Sequence, residues 1–362
     1  MWPETPAVPT LASRSSLLFC PGRQRFLSDI SLTLDPSTGL ITSVFGRTEL
    51  LDRLLPGDID LRGKTVLPGL VDAHTHMSLH PSLVERVIRA TNHCRAALLA
   101  GYTSYRDLGT ESLQDADVNV RDAINRGLMP GPRPFVATEA LASLAVYEIR
   151  QENRLGKTCL PRIVDIGDGV DGVRAAVRWR IGAGARVVKF YADYRKRQLR
   201  FPPEQLPGQP AIQIPPDEDR NPDLPLLSQQ QIDAIVEEAK AGNCPGSAHA
   251  YSLAGVIMAA KAGVTSVEHG FEPSEGALQT MKEYNTIFLG IKLACGGDTG
   301  AFAHGDDVRE LELMLEADVP LKGVLAAATL HGWDAYWGAL RQVGSVMKDG
   351  RVWKEHGKTI TT

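Results

Sequence analysis

Residues 66–76 run Val-Leu-Pro-Gly-Leu-Val-Asp-Ala-His-Thr-His. Pro68 and Gly69 form a turn, and the apolar residues after them begin a strand of the kind that enters a buried sheet. Alternate residues on a strand face the same side, so His74 and His76 point together, inward or toward the mouth as the strand ends. Two imidazoles held this way can chelate one metal without strain. The bland alternative is a pair of hydrogen-bonded histidines at a strand end.

Upstream, residues 1–65 carry short β-rich runs, Ser16 to Phe19, Ile30 to Leu34 and Leu40 to Val44, and suggest a small β-domain. Downstream, strand, turn and helix alternate, which predicts a parallel α/β fold over residues 66–338. The expected strands are Leu70 to His74, Ser104 to Leu108, Pro134 to Thr138, Val187 to Tyr191, Gly246 to His249, Thr265 to His269, Asn285 to Phe288 and Ile291 to Gly296. Between them Leu83 to Leu99 and Gly172 to Ile181 are amphipathic. Ser228-Gln229-Gln230-Gln231 is a capping box, and Gly242 ends its helix. Residues 198–227 hold Pro202, Pro203, Pro207, Pro210, Pro215, Pro216, Pro222 and Pro225, so they predict a long loop, either a lid or a surface excursion.

Composition narrows the function. The 362 residues are 43% hydrophobic and 23% charged, with a net charge of −4 and no basic stripe, so nucleic acid is not an expected partner. No apolar run is long enough to span a membrane, and the N-terminus lacks the pattern of a secretory signal. Five cysteines, Cys20, Cys94, Cys159, Cys244 and Cys295, are scattered without a Cys-x-x-Cys pair. They argue against a disulfide framework or a thiolate zinc site and suit a reducing, cytoplasmic setting. Cys295 is read as a small core residue. A homo-oligomer is allowed.

Other candidates fall at the ends of later strands: His249, His269, Lys189, and Asp298 after Gly296-Gly297. Each alone has an ordinary structural explanation. Together they match barrel enzymes, which place reactive groups at the carboxyl ends of several strands. An ammonium cannot ligate a metal, and burying one unpaired is costly. As a carbamate, Lys189 would become an anion able to bridge two cations; otherwise it would pair with Asp107 or Asp193.

His74-Thr75-His76, Lys189, His249, His269 and Asp298, in that order, resemble the binuclear amidohydrolase superfamily. The strings VLPGLVDAHTH, AGYTSYRDLGT, AGVTSVEHG and KLACGGDTGAFAHG resemble its imidazolonepropionase-like and Xaa-Pro-dipeptidase-like branch. The resemblance implies a (β/α)8 barrel, and a β-sandwich shared by residues 1–65 and 339–362 that uses Gly344 to Val352. It implies two divalent metals, zinc being the expected one. His74, His76 and Asp298 would bind one, His249 and His269 the other, with carbamylated Lys189 between them. A hydroxide bridging the metals would attack an amide of a small peptide or N-acyl amino acid, and Asp298 would carry its proton to the leaving amine. Tyr191, Tyr194, Arg195 and His304 are candidates to touch substrate, Arg195 by gripping a carboxylate. His80, His93, His331 and His356 are read as structural.

Two stretches present in relatives are short here. Only Leu289, Gly290 and Ile291 separate Phe288 from Lys292, too few for a parallel crossover, and Gly338 runs straight into Ala339-Leu340-Arg341. The barrel is expected to be incomplete beside Asp298. The competing readings are a hydrolase of cyclic amides on the same scaffold and an inactive relative that binds metal without turnover.

Overall fold

Strand β1 (Leu11–Cys20) pairs antiparallel with β2 (Arg25–Leu34), which pairs antiparallel with β3 (Ile41–Gly46). β4 (Ile59–Val66) joins β1 in parallel, giving a four-stranded sheet in the order β3-β2-β1-β4. This computed structural model describes residues 11–35, 40–46, 58–77, 83–110, 113–143, 164–195, 223–270, 274–284, 286, 293–298, 306–337, 354–355 and 358–359. The chain packs as two compact units. The first comprises residues 1–107, 117–136 and 293–362, the second residues 108–116 and 137–292.

In the first unit, β5 (Leu70–Thr75), β6 (Tyr102–Asp107) and β7 (Arg133–Val136) form a parallel sheet in that order. Helix α1 (Leu83–Leu99) connects β5 to β6, and α2 (Ala116–Asn125) lies between β6 and β7. Met77, Cys94, Tyr102, Tyr105 and Val136 pack into the core between them. Arg106, buried on β6, donates to the carbonyls of Ala73 at 2.5 Å and Ala335 at 3.0 Å, so its charge is met by backbone dipoles.

In the second unit, β8 (Ala140–Ala142), β9 (Val164–Ile166), β10 (Val188–Tyr191), β13 (Gly246–Ala250) and β14 (Ser266–His269) form a parallel sheet ordered β14-β13-β10-β8-β9. All residues of β10 and β13 are buried, as parallel strands covered on both faces require. Helix α3 (Gly169–Ala183) precedes β10, and α4 (Gln229–Ala241) precedes β13. The capping box is present: Gln231 N–H donates to Ser228 Oγ, and the Gln231 side chain accepts from Ser228 N–H. Helices α5 (Leu253–Ala262) and α6 (Glu275–Glu283) start on the side chains of Ser252 and Ser274.

Three expectations change. The last expected strand, Ile291 to Gly296, is not a strand over its described residues, 293–296. The strand expected from Pro134 to Thr138 stops at Val136, because Thr138 turns left-handed at φ 62°; the chain resumes as β8 in a different sheet. Part of the proline-rich loop is a strand: β12 (Asp223–Pro225) pairs antiparallel with β11 (Asp193–Arg195). Proline is tolerated there because, among the described residues, β12 pairs with this one neighbour in a two-stranded sheet. Residues 287–292, 338–340 and 344–352, where the shortened connections and the C-terminal part of the sandwich were expected, lie outside the described residues.

Candidate metal centre

Each unit carries three of the six expected ligands. In the first, His74 and His76 sit at the end of β5, each 7% exposed. Their Nε2 atoms lie 3.6 and 3.7 Å from the same oxygen, Asp298 Oδ1. These distances are too long for hydrogen bonds. They suit atoms facing a common point: two ligands bonded to a tetrahedral cation at 2.0–2.2 Å stand roughly 3.4 Å apart. Two nitrogens and a carboxylate oxygen are a donor set that zinc and similar cations accept. The residues present therefore fit a divalent metal.

Asp298 reaches this position on a segment, residues 293–298, that lies along β5. Ala73 N–H donates to Cys295 O and Asp298 N–H to His74 O, both at 2.8 Å. On its other side, Cys295 N–H reaches Ala327 O at 3.3 Å, and His331 Nδ1 lies 2.9 Å from Leu293 O. Ala327 and His331 bound a π-helical turn between α8 (Leu321–Ala326) and α9 (Gly332–Trp337). Asp298 itself is left-handed, at φ 39°.

Behind the histidines, Asp72 is fully buried and accepts from the backbone N–H groups of His74 and Gly297. Burial, followed by the negative charge of Asp307, pushes its carboxyl well above the usual range, while those two N–H bonds pull the other way. Tyr105 donates to Asp307 at 2.9 Å, and burial pushes the Tyr105 phenol upward. Cys295 is buried with its thiol likewise pushed up, so it is the core residue expected.

In the second unit, Lys189 is 1% exposed in the middle of β10. The register pairs Lys189 with Ser247 and Tyr191 with His249, so Lys189 and His249 share one face. His249 is level with Glu268, whose Oε1 accepts from Ser247 Oγ on that same face. Simple alternation would send His269 to the opposite face. Its backbone is left-handed at φ 67°, and the two imidazoles meet with centroids 4.5 Å apart. Tyrosines surround the pair. Tyr191 and Tyr194 lie 4.6 and 5.5 Å from His249, and Tyr251 stacks on His269 at 5.0 Å and 12°. Asp193, one expected partner of Lys189, accepts from Tyr251 N–H, Ser252 N–H and Ser252 Oγ. The Arg195 side chain and all of His304 lie outside the described residues.

Asp72, Asp307 and Tyr251 were missed by sequence reasoning. Asp72 and Tyr251 each stand two residues from a candidate histidine, and that spacing was the available signal.

Parallel α/β sheets that present histidines, an aspartate and a buried lysine fit one class: residues 65–289 match the amidohydrolase family, and the chain belongs to it. Ochratoxinase of Aspergillus niger is 30% identical over 258 residues, covering 64% of this chain and 48% of that protein. The chain thus spans about half the length of the curated relatives it matches. Among solved structures, a Xaa-Pro dipeptidase with methionine bound in its active site superposes with a TM-score of 0.73 at 24% identity, covering 91% of this chain and 89% of that one. The A. niger ochratoxinase structure gives 0.68 at 24% identity, covering 90% and 84%. Phenylurea hydrolase B gives 0.68 at 16% identity, covering 94% and 90%. At these identities the likeness shows a shared fold.

Proposed function

We propose that this chain hydrolyses the C–N amide bond of a small peptide or N-acyl amino acid with two divalent cations, zinc being the expected metal. In this reading the parallel strands belong to a (β/α)8 barrel, and the N-terminal sheet is part of a small β-sandwich. His74, His76 and Asp298 would hold one cation and His249 and His269 the other, and Lys189, as a carbamate, would add an anionic ligand. The observation that carries the reading is the approach of both Nε2 atoms, at 3.6 and 3.7 Å, to one oxygen of Asp298. The names of two similar proteins, a Xaa-Pro dipeptidase and an ochratoxinase, favour an amino acid amide as substrate.

Cations bound here supply Lewis acidity toward the amide carbonyl and lower the pKa of water. The protein's own groups do the rest. Asp298, 41% exposed, takes the proton of the attacking water and returns it to the departing amine. The amide and water thus yield one carboxylic acid and one amine. Tyr191 and Tyr194, tilted against His249, form the wall that orients the substrate and keeps water out. Arg195 remains a candidate to grip its carboxylate and His304 a candidate to touch the substrate.

Metal analysis of the full chain, with a panel of Xaa-Pro dipeptides, N-acyl amino acids and a hydantoin, tests this. About two metals per chain with release of free amino acid is the expected result. Ring opening without dipeptide cleavage points to the cyclic-amide reading, and little metal with no turnover to an inactive relative. Asp298→Asn should lower kcat by about 10²–10⁴-fold while most metal stays bound; undiminished turnover removes Asp298 from proton transfer.

A further inference from the structure

We infer that Asp72 is the positioning residue of the first three ligands, the group that sets the distance between the imidazole pair and Asp298. The inference rests on the metal reading above and adds a residue outside the six proposed ligands. Asp72 Oδ1 accepts from His74 N–H at 3.0 Å and from Gly297 N–H at 3.2 Å. A single buried atom thus links the backbone of one ligand to that of the residue before another, 225 positions apart between Asp72 and Gly297.

This bond fills a gap in the pairing. Along the Leu293–Asp298 segment, Cys295 O and Asp298 N–H meet backbone groups of β5, at Ala73 and His74. The Gly297 N–H between them meets the Asp72 side chain instead. The local packing is shaped around that contact. A Cβ on Gly297 would stand 2.7 Å from Asp307 Oδ1 and 3.3 Å from Asp72 Oδ2. A Cβ on Gly296 would stand 2.6 Å from the His74 Cβ. Two bare glycines let the segment approach closely enough for one oxygen to bridge both N–H groups. The bridge needs an acceptor oxygen at this place, which a carboxylate, a carboxylic acid or an amide all provide.

Two variants separate this role from bulk stability. Asp72→Asn keeps an acceptor oxygen; Asp72→Leu keeps the branched shape of the side chain and removes it. Cobalt(II) is titrated into metal-free protein, following affinity and the visible ligand-field spectrum, with near-ultraviolet circular dichroism reporting folding. Asp72→Asn should bind within about threefold of wild type with the same spectrum, whereas folded Asp72→Leu should lose roughly 10–100-fold in affinity and change its spectrum, as losses behind a ligand do. If Asp72→Leu does not fold, Asp72→Ser, whose hydroxyl is too short to bridge both N–H groups, should show the same loss. Wild-type affinity and spectrum in a folded Leu or Ser variant, or an Asn variant as impaired as they are, overturns the inference alone. Wild-type protein that takes up no cobalt overturns the metal reading as well.

Discussion

Glu310, on α7 (Val308–Glu316), shows how one charge at the candidate centre reaches its neighbours. Burial, then the negative charge of Asp298, raises its carboxyl above the ordinary 4.5. The folded metal-free protein therefore holds a proton that the unfolded chain releases. That contribution is full below pH 4.5 and is lost as pH rises through the raised value. Urea midpoints measured on metal-free protein from about pH 4 upward should fall less steeply with pH in Glu310→Gln than in wild type; equal slopes refute the effect. Residues differed in how well the sequence exposed them. His74 and His76 were legible because a two-residue spacing on a strand has one geometric meaning. Asp72 was not, since a carboxylate between apolar residues says nothing about a backbone N–H that arrives from position 297. Nor could alternation alone reveal that His269 needs a left-handed backbone to face His249.

Among elements, the segment of residues 293–298 carries the proposed ligand Asp298. Gly296→Ala would drive a methyl group into the backbone and Cβ of His74, atoms that cannot rotate away. The variant should lose about 1–3 kcal/mol of stability and bind zinc more weakly. Gly182→Ala, near the end of α3 with nothing within 4 Å of its new methyl, should instead gain about 0.4–1 kcal/mol. Chemical denaturation of both, with zinc titration of the first, checks the pair, and equal effects would refute the close-approach argument. Helix boundaries were largely legible from caps, as at Ser228. The break after Val136 was not, because Ala137 and Thr138 continue an apolar strand pattern while Thr138 turns the backbone aside. The π-helical turn at Ala327–His331 has no sequence signature, yet its carbonyl at Ala327 meets Cys295 N–H.

Across the whole molecule, the proposed ligands come from segments far apart in sequence, so a bound metal should act as a crosslink of the native state. Free zinc at a hundredfold excess over its Kd should add about 2.7 kcal/mol per site to unfolding stability, and chelation should remove it. A thermal midpoint that ignores both zinc and chelator would count against any native-state metal site. Alternation of strand and helix made the α/β class legible over this same span, because parallel strands buried on both faces need apolar runs separated by helices.

The left-handed backbones of His269 and Asp298 constrain how substitution at these sites can be interpreted. Any branched replacement meets a torsional penalty before its missing nitrogen or oxygen matters, so threonine or valine there reports conformational strain mixed with lost coordination. Glycine accepts these torsions freely while supplying no donor atom. A His269→Gly or Asp298→Gly protein should consequently fold at least as readily as its alanine counterpart and isolate the chemical deficit.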